Sequence, residues 1–299
     1  VQNLDLLFQV PQLSLQLVIN GVLIGALFAL AAYGMALVWG VMNVINVVQG
    51  EFVILGGYVA VYTAQAGLPP LAGIPAAAVV LFVIGYVLYR LIIFRLIDRD
   101  LFTSLLATFG LSILFQQLMN QLFGADVRIL EAGFGTWFLM GGLVTVSKIK
   151  VVAFCLTIAI AVILVLFMRR SRMGQAIRAT AQNSRAARIL GVNVNHVYAT
   201  TYAINAAMCG AAGALVVMSL TIHPYQGLVY TVRSFTIVVI AGLGNIAGVI
   251  AAAFGLGAAE QFAGFILGAQ YQVAFVYLLL VFILVGRSLL LQRQRKTLK

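Results

Sequence analysis

From Val151 to Met168 the chain runs for eighteen residues without a charged side chain. A helix needs about 20 apolar residues to cross the hydrocarbon core of a bilayer. Lipid offers no partner to an open backbone group, so only helices and closed barrels can span it. A barrel would be written in alternating segments of about ten residues, and the runs here are longer and continuously apolar. The composition agrees: 63% of residues are hydrophobic and 8% charged, where soluble domains carry about 25% charged residues. The predicted fold class is therefore all-α, a polytopic transmembrane helical bundle forming a single domain over 1–299.

Punctuation divides the chain into nine candidate crossings. They fall at 14–41, 51–66, 72–94, 101–124, 149–168, 196–219, 232–243, 246–267 and 271–286. A break occupies 42–50, a polar, Gly-bearing loop is expected at 125–147, and Pro69-Pro70 and His223-Pro224 mark turns. The second and seventh segments are short. At 1.5 Å per residue, twelve residues reach only about 18 Å, so the seventh is a half-helix, a tilted segment or a re-entrant piece. The expectation is thus eight or nine membrane segments, two of them short or broken.

Charge sets the orientation. Arg90, Arg95, Arg99, Arg169, Arg170, the basic residues of 171–191 and the basic tail at 287–299 all fall on one side if nine segments cross. That side then holds fourteen Lys and Arg, against Arg128, Lys148, Lys150 and Arg233 on the other. The positive-inside rule places the N-terminus out and the C-terminus in. It also accounts for the net charge of +11, so no nucleic-acid partner is expected. Cys155 and Cys209 lie in apolar runs and read as small buried hydrophobes. The first eleven residues hold no Lys or Arg, so the basic n-region of a cleavable signal peptide is not evident.

Two interruptions share a spelling, Gly40-Val-Met-Asn43 and Gly242-Leu-Gly-Asn245. Paired Gly/Asn breaks point to a transporter binding site, although Gly-x-x-Asn can also recur by chance among 29 glycines. Beside the first break stand Asn43, Asn46 and Gln49, whose amides can satisfy freed backbone groups or line a solute path; Asn245 ends the second break, and Asn205, midway along the sixth segment, reads as interhelical glue or as a further pathway amide. Glu51 and Glu260 are the carboxylates placed in or at the edge of apolar segments, and neither should face lipid. Glu51 opens the second segment, where a carboxylate suits exposed helix N–H groups; Glu260 should face a neighbouring helix or subunit. Small residues four apart (Gly21, Gly25, Ala29; Ala206, Gly210, Ala214; Gly244, Gly248, Ala252) mark faces where helices approach closely. No Walker-type loop, H-E-x-x-H or C-x-x-C occurs, so no catalytic residue and no metal site is assigned. Any driving energy must come from another subunit or from an ion gradient.

The polar island Ser171 to Gly191 carries four arginines (Arg172, Arg178, Arg185, Arg188) and no carboxylate. It is expected to form a short helix from about Gly174 to Leu190, with Arg178 and Arg185, seven apart, near one face. Such a helix suits docking into a groove of a cytoplasmic protein; a solvated basic loop that only sets topology is the plainer alternative.

At these residues the chain resembles the permease subunits of branched-chain amino acid ABC importers, the LivH type. Three anchors carry the resemblance: N-G-V-L-I-G-A-L-F-A-L-A-A-Y-G-M at 20–35 continuing into G-V-M-N-V-I-N-V-V-Q-G-E-F-V-I-L-G-G-Y at 40–58; S-R-M-G-Q-A-I-R-A-T-A-Q-N at 171–183 with Ala187, Leu190, Gly191, Val192 and Asn193; and A-G-L-G-N-I-A-G-V-I-A-A-A at 241–253. The family commonly has a His before the Gly-Glu pair, where this chain has Gln49. The resemblance implies a multi-pass protein of the bacterial inner membrane, working with a second homologous permease (a LivM-like paralogue or itself), two cytoplasmic ATPases that bind ATP and Mg, and a periplasmic solute-binding protein. In that reading no cofactor binds this chain. Gly174, Arg178, Arg185, Arg188 and Gly191 form the segment that engages the ATPases, and Asn43, Asn46, Gln49, Glu51, Asn205 and Asn245 are candidates for the translocation pathway. Branched-chain or other hydrophobic amino acids lead as solutes; the alternative is urea, short amides or aromatic acids, for which relatives also include permeases. A stand-alone gradient-driven transporter or channel is the rival class.

Overall fold

The computed structural model describes residues 10–97, 99–139, 144–242 and 245–297. Within them the chain folds into eleven α-helices and one β-hairpin. The helices are α1 Pro11–Met42, α2 Gln49–Gln65, α3 Gly73–Leu91, α4 Leu101–Phe123, α5 Lys148–Arg170, α6 Arg172–Gln182, α7 Ser184–Ile189, α8 Val194–Ser219, α9 Gly227–Ala241, α10 Ile246–Leu267 and α11 Gln272–Thr297. The hairpin pairs β1 Thr136–Leu139 with β2 Val144–Ser147. Seven of the described segments are long and apolar enough to cross a membrane. The two expected short segments are α2 and α9, seventeen and fifteen residues long.

Helix ends follow local chemistry. Pro11 opens α1, where its missing N–H is no loss. Asp100 caps α4 by accepting from the Thr103 N–H at 3.1 Å, and Asn193 caps α8 by accepting from the His196 N–H at 3.1 Å. At the far end of α1, Asn43 adopts a left-handed conformation (φ 52°), a turn that asparagine tolerates better than most residues.

The bundle is built around α1 and α8. Nearly nine-tenths of the apolar window of α8 is buried, against 6% for Ala269–Gly286, so α11 presents its side chains outward. Glycines set the closest approaches. A Cβ on Gly21 or Gly25 would strike the α10 backbone at Ala258 or Ala253, and one on Gly56 would strike Gly210 of α8. Without a hydrophobic drive between helices in lipid, such contacts supply the packing. The face of α10 that meets α1 runs through Ala253, Gly257 and Ala258. Of the expected face, residue 244 lies outside the described residues, Ala252 is buried, and a Cβ on Gly248 would meet the N-cap Asn245 and the Ala241 carbonyl.

Four further expectations are corrected. The loop at 125–147 contains the hairpin, whose strands Thr136-Trp-Phe-Leu and Val144-Thr-Val-Ser are β-branched or aromatic at every position but Leu139 and Ser147. The hairpin seats on α1 through Gln16 Nε2 donating to Thr145 Oγ1 at 3.0 Å. The island is two helices, because Asn183 turns extended (φ −157°, ψ 102°) and its side chain accepts from the Ala186 N–H at 3.0 Å; Arg178 and Arg185 therefore do not share one helix face. The basic tail after Gly286 continues as α11 to Thr297, since nothing from Arg287 onward breaks a helix. Cys155 is exposed on α5, while Cys209 is buried.

Candidate functional site

The two short helices start beside one another inside the bundle. The Gly50 N–H donates to Thr231 Oγ1 at 2.8 Å, and that hydroxyl donates to the Val47 carbonyl at 2.9 Å. A Cβ on Gly50 would fall on the Gly227 carbonyl, and a Cβ on Gly227 would fall on the Glu51 carboxylate. At Gly50 the obstacle is backbone and only glycine fits; at Gly227 a methyl would require the Glu51 carboxylate to move. From this seam the helices diverge. α2 runs along α8 from Phe52 beside Tyr202 (ring centroids 6.0 Å apart) to Gly57 against Gly213. α9 runs along α1 from Tyr230 beside Phe28 (6.1 Å) to Phe235 stacked on Trp39 (5.1 Å). Gln16 of α1 lies at the hairpin, and α8 leads to Ile222, which pairs with Arg128 in the segment before it. Hence α2 heads toward the hairpin end and α9 away from it. Neither spans alone: at 1.5 Å per residue both fall short of a core about 30 Å thick.

Glu51 sits in the first turn of α2, at this seam, and is 1% exposed. Its Oε1 accepts from Ser112 Oγ at 3.0 Å, and its Oε2 has no hydrogen-bond partner. Two helix N-termini bring partial positive charge to the same spot, which favours a carboxylate that direct hydrogen bonds leave half satisfied.

A second polar cluster lies one turn away. Gln49 Nε2 donates to the Ala31 carbonyl of α1 at 2.7 Å, Asn46 Nδ2 donates to Gln49 Oε1 at 3.3 Å, and the Tyr202 hydroxyl of α8 donates to Asn46 Oδ1 at 3.1 Å. Both amides are buried. They hold the break between α1 and α2 against α8. Thr108 of α4 completes the clamp by donating to the Ile45 carbonyl at 3.0 Å.

The other sequence candidates sit apart from this junction. Asn43 is exposed past the end of α1. Asn205 is buried, its Oδ1 accepting from Cys209 Sγ at 3.8 Å while its Nδ2 has no partner. Asn245 is exposed and caps α10 through the Gly248 N–H at 3.0 Å. The two Gly-x-x-Asn breaks thus have different jobs, and residues 243–244 of the second lie outside the described residues.

Sequence reasoning missed Arg233, assigning it to the outward charges. It lies in the second turn of α9 and pairs in the bundle with Glu260 of α10: Nε donates to Oε2 at 3.1 Å, and a second guanidinium nitrogen donates to Oε1. The Phe28 and Tyr230 rings flank the guanidinium at 4.7 and 5.6 Å. The expectation that Glu260 faces other protein holds, and α10 and α9 are locked together there. The available signal was an arginine one residue into an apolar run.

The island is anchored at one end and free at the other. Ser171 caps α6 by accepting from the Gly174 N–H at 2.8 Å, and Gly174 lies so close to Phe167 and Met168 of α5 that a Cβ would collide with them. Ile177 is fully buried. In α7 only Ala187 is buried; Arg185 and Arg188 are exposed, as are Ile189 (86%) and Leu190 (83%) just before Gly191, whose φ of 84° makes the turn into α8. Arg178 is exposed on α6.

Comparison with known proteins follows this geometry. A family model described as branched-chain amino acid transport system, permease component, matches residues 17–284. The chain is 30% identical over 287 residues to the high-affinity branched-chain amino acid transport system permease protein BraD of Pseudomonas aeruginosa, covering 91% of this chain and 94% of that protein. It is also 30% identical over 292 residues to the permease protein LivH of Escherichia coli K12, covering 92% and 95%. A probable LivH of Methanocaldococcus jannaschii is 25% identical over 272 residues, covering 87% of this chain and 85% of that protein. No solved structure matches. With its bundle and its family model both spanning nearly the whole length, the chain belongs to the permease-component family of branched-chain amino acid transport systems.

Proposed function

We propose that the chain is the translocating subunit of an ATP-driven importer of branched-chain amino acids in the bacterial inner membrane. The observation that carries this reading is the alignment with BraD and LivH over more than nine-tenths of each chain. In the proposed assembly a second homologous permease completes the membrane unit. Two cytoplasmic ATPases bind ATP and Mg, and a periplasmic binding protein delivers the solute. The N-terminus lies outside and the C-terminus inside.

The moving parts follow from the contacts. α7 offers a partner an exposed apolar tip, Ile189 and Leu190, beside Arg185 and Arg188. An ATPase that grips this tip pulls on α8, which begins at Val194, three residues beyond Gly191. Two turns along α8 the Tyr202 hydroxyl holds Asn46, so displacement of α8 reaches the break before α2. The α2–α9 seam is then the place that parts. α9 is held to α10 by the Arg233–Glu260 pair, so α2, packed on α8, is the element that moves with α8. Parting exposes Glu51 and the helix N-termini, groups suited to the ammonium and carboxylate of an amino acid.

Two variants test this. Leu190→Glu combined with Arg188→Glu leaves the bundle folded but abolishes co-purification with the ATPases; retained assembly and uptake would refute the docking role. Tyr202→Phe removes one buried hydrogen bond, about 1 kcal/mol of stability, and should leave ATP hydrolysis running while uptake falls; unchanged uptake would remove α8 from the transmission.

A further inference from the structure

A cleft of about 660 Å³ opens on the side of the bundle where α5 stands away from α3 and α8. That volume lies within the range of small-molecule sites. Phe82 and Tyr86 of α3, Ile163 and Phe167 of α5, and Ile204 and Met208 of α8 form its apolar walls. The mouth faces outward, since Ile163 and Phe82 are exposed. In a membrane such a mouth meets lipid tails.

One end of the cleft is basic and polar. Met173 of α6 closes it, with His196 and Thr200 of α8 beside it. Arg169, Arg170 and Arg172 lie in the chain between the lining residues Phe167 and Met173, and all three are exposed. Arg90 reaches the lining directly: its guanidinium donates to the Tyr86 hydroxyl at 3.0 Å and lies 5.4 Å from that ring's centroid. The Tyr86 ring in turn meets the His196 ring edge-on at 6.5 Å. Arg90 thus touches the lining of the slot and three more arginines adjoin its lining residues in the chain, and none of the four has a carboxylate partner among the described ion pairs. Water or another helix would satisfy the apolar walls or the arginines, but not both in this order along the slot. An acyl chain topped by a phosphate satisfies both.

The geometry points to a binding site for an anionic phospholipid, its acyl chain lying between α5 and the α3–α8 pair and its headgroup phosphate held by Arg90 and the arginines of the α5–α6 joint. The site flanks α5 and α8, the two helices that flank the island, so an occupied cleft would brace the α5–α6 joint. This inference is independent of which solute the protein carries.

Native mass spectrometry of the full chain, released from nanodiscs of equal phosphatidylglycerol and phosphatidylcholine, tests it. Wild type should retain phosphatidylglycerol preferentially, and the preference should weaken as salt rises. Each of Arg90→Gln, Arg169→Gln and Arg170→Gln should reduce the enrichment about fivefold. Ile204→Trp, which fills the slot and leaves the arginines in place, should abolish retention of either lipid there. Equal retention of the two lipids by wild type would overturn the proposal, as would enrichment unchanged in the arginine variants. A photo-crosslinker at Ile163 that captures a protein segment and no lipid in native membranes would overturn it as well. Wild-type competition and crosslinking decide the matter even if a variant fails to fold.

Discussion

Glu51 and Glu260 are both buried within an apolar bundle, and their surroundings differ in kind. Glu260 receives two hydrogen bonds from Arg233, and aromatic rings close over the guanidinium. Its charge is matched within the bundle, and the pair fixes α9 to α10. Glu51 receives one hydrogen bond, from Ser112, and lies against a glycine at the joint of two short helices. A charge within the bilayer is costly and persists where it pairs or serves function. The Glu260 region has the character of a fastening, and under the proposed function the Glu51 region is the working part; each can be challenged separately.

The largest expected effect is at the fastening. Arg233→Ala leaves Glu260 buried without its partner and should destabilise the protein by about 3–5 kcal/mol, read as a large fall in thermal unfolding temperature in detergent. Replacing both members by leucine should recover most of that loss, because the pair's value lies in mutual neutralisation. A single variant as stable as wild type would remove the distinction between the two carboxylates.

Next is the seam. Gly227→Ala places a methyl on the Glu51 carboxylate and should destabilise by about 1–3 kcal/mol. Glu51→Ala in the same chain removes the obstacle, so the two substitutions should be non-additive by about 0.5–3 kcal/mol in a double-mutant cycle. Strict additivity would mean that the two residues do not meet.

The smallest change in stability is expected from Glu51→Gln. The amide keeps the shape and can still accept from Ser112, so unfolding should shift by no more than about 1 kcal/mol while solute uptake is lost. Full uptake by this variant would make Glu51 a second fastening and end the contrast.

How much of this was readable beforehand depends on the range of the interactions. The long helices were legible because an apolar run of spanning length has few alternatives in lipid. Glu51, Asn46 and Gln49 were legible as a group because the break that gathers them is local in sequence. The seam was not, since Gly227 and Thr231 lie about 180 residues from Gly50 and nothing in either stretch names the other. Arg233 was lost to a boundary: α9 starts at Gly227, whereas the apolar run begins at Val232, so the arginine read as a charge at the outer end of the segment. The split of the island had a signal in Asn183-Ser184, an N-cap pattern hidden by the continuing run of alanines and arginines. The hairpin signal was weaker still, two four-residue strands inside a polar segment.

The most direct test of the central claim is uptake of radiolabelled leucine into proteoliposomes holding this chain with the proposed second permease and two ATPases, with the proposed binding protein outside and ATP within. The account predicts accumulation that needs ATP, the binding protein and an intact α7, and that stops when Arg188 and Leu190 are both replaced by glutamate. Accumulation by this chain alone, driven by an ion gradient with no ATPase present, would contradict it.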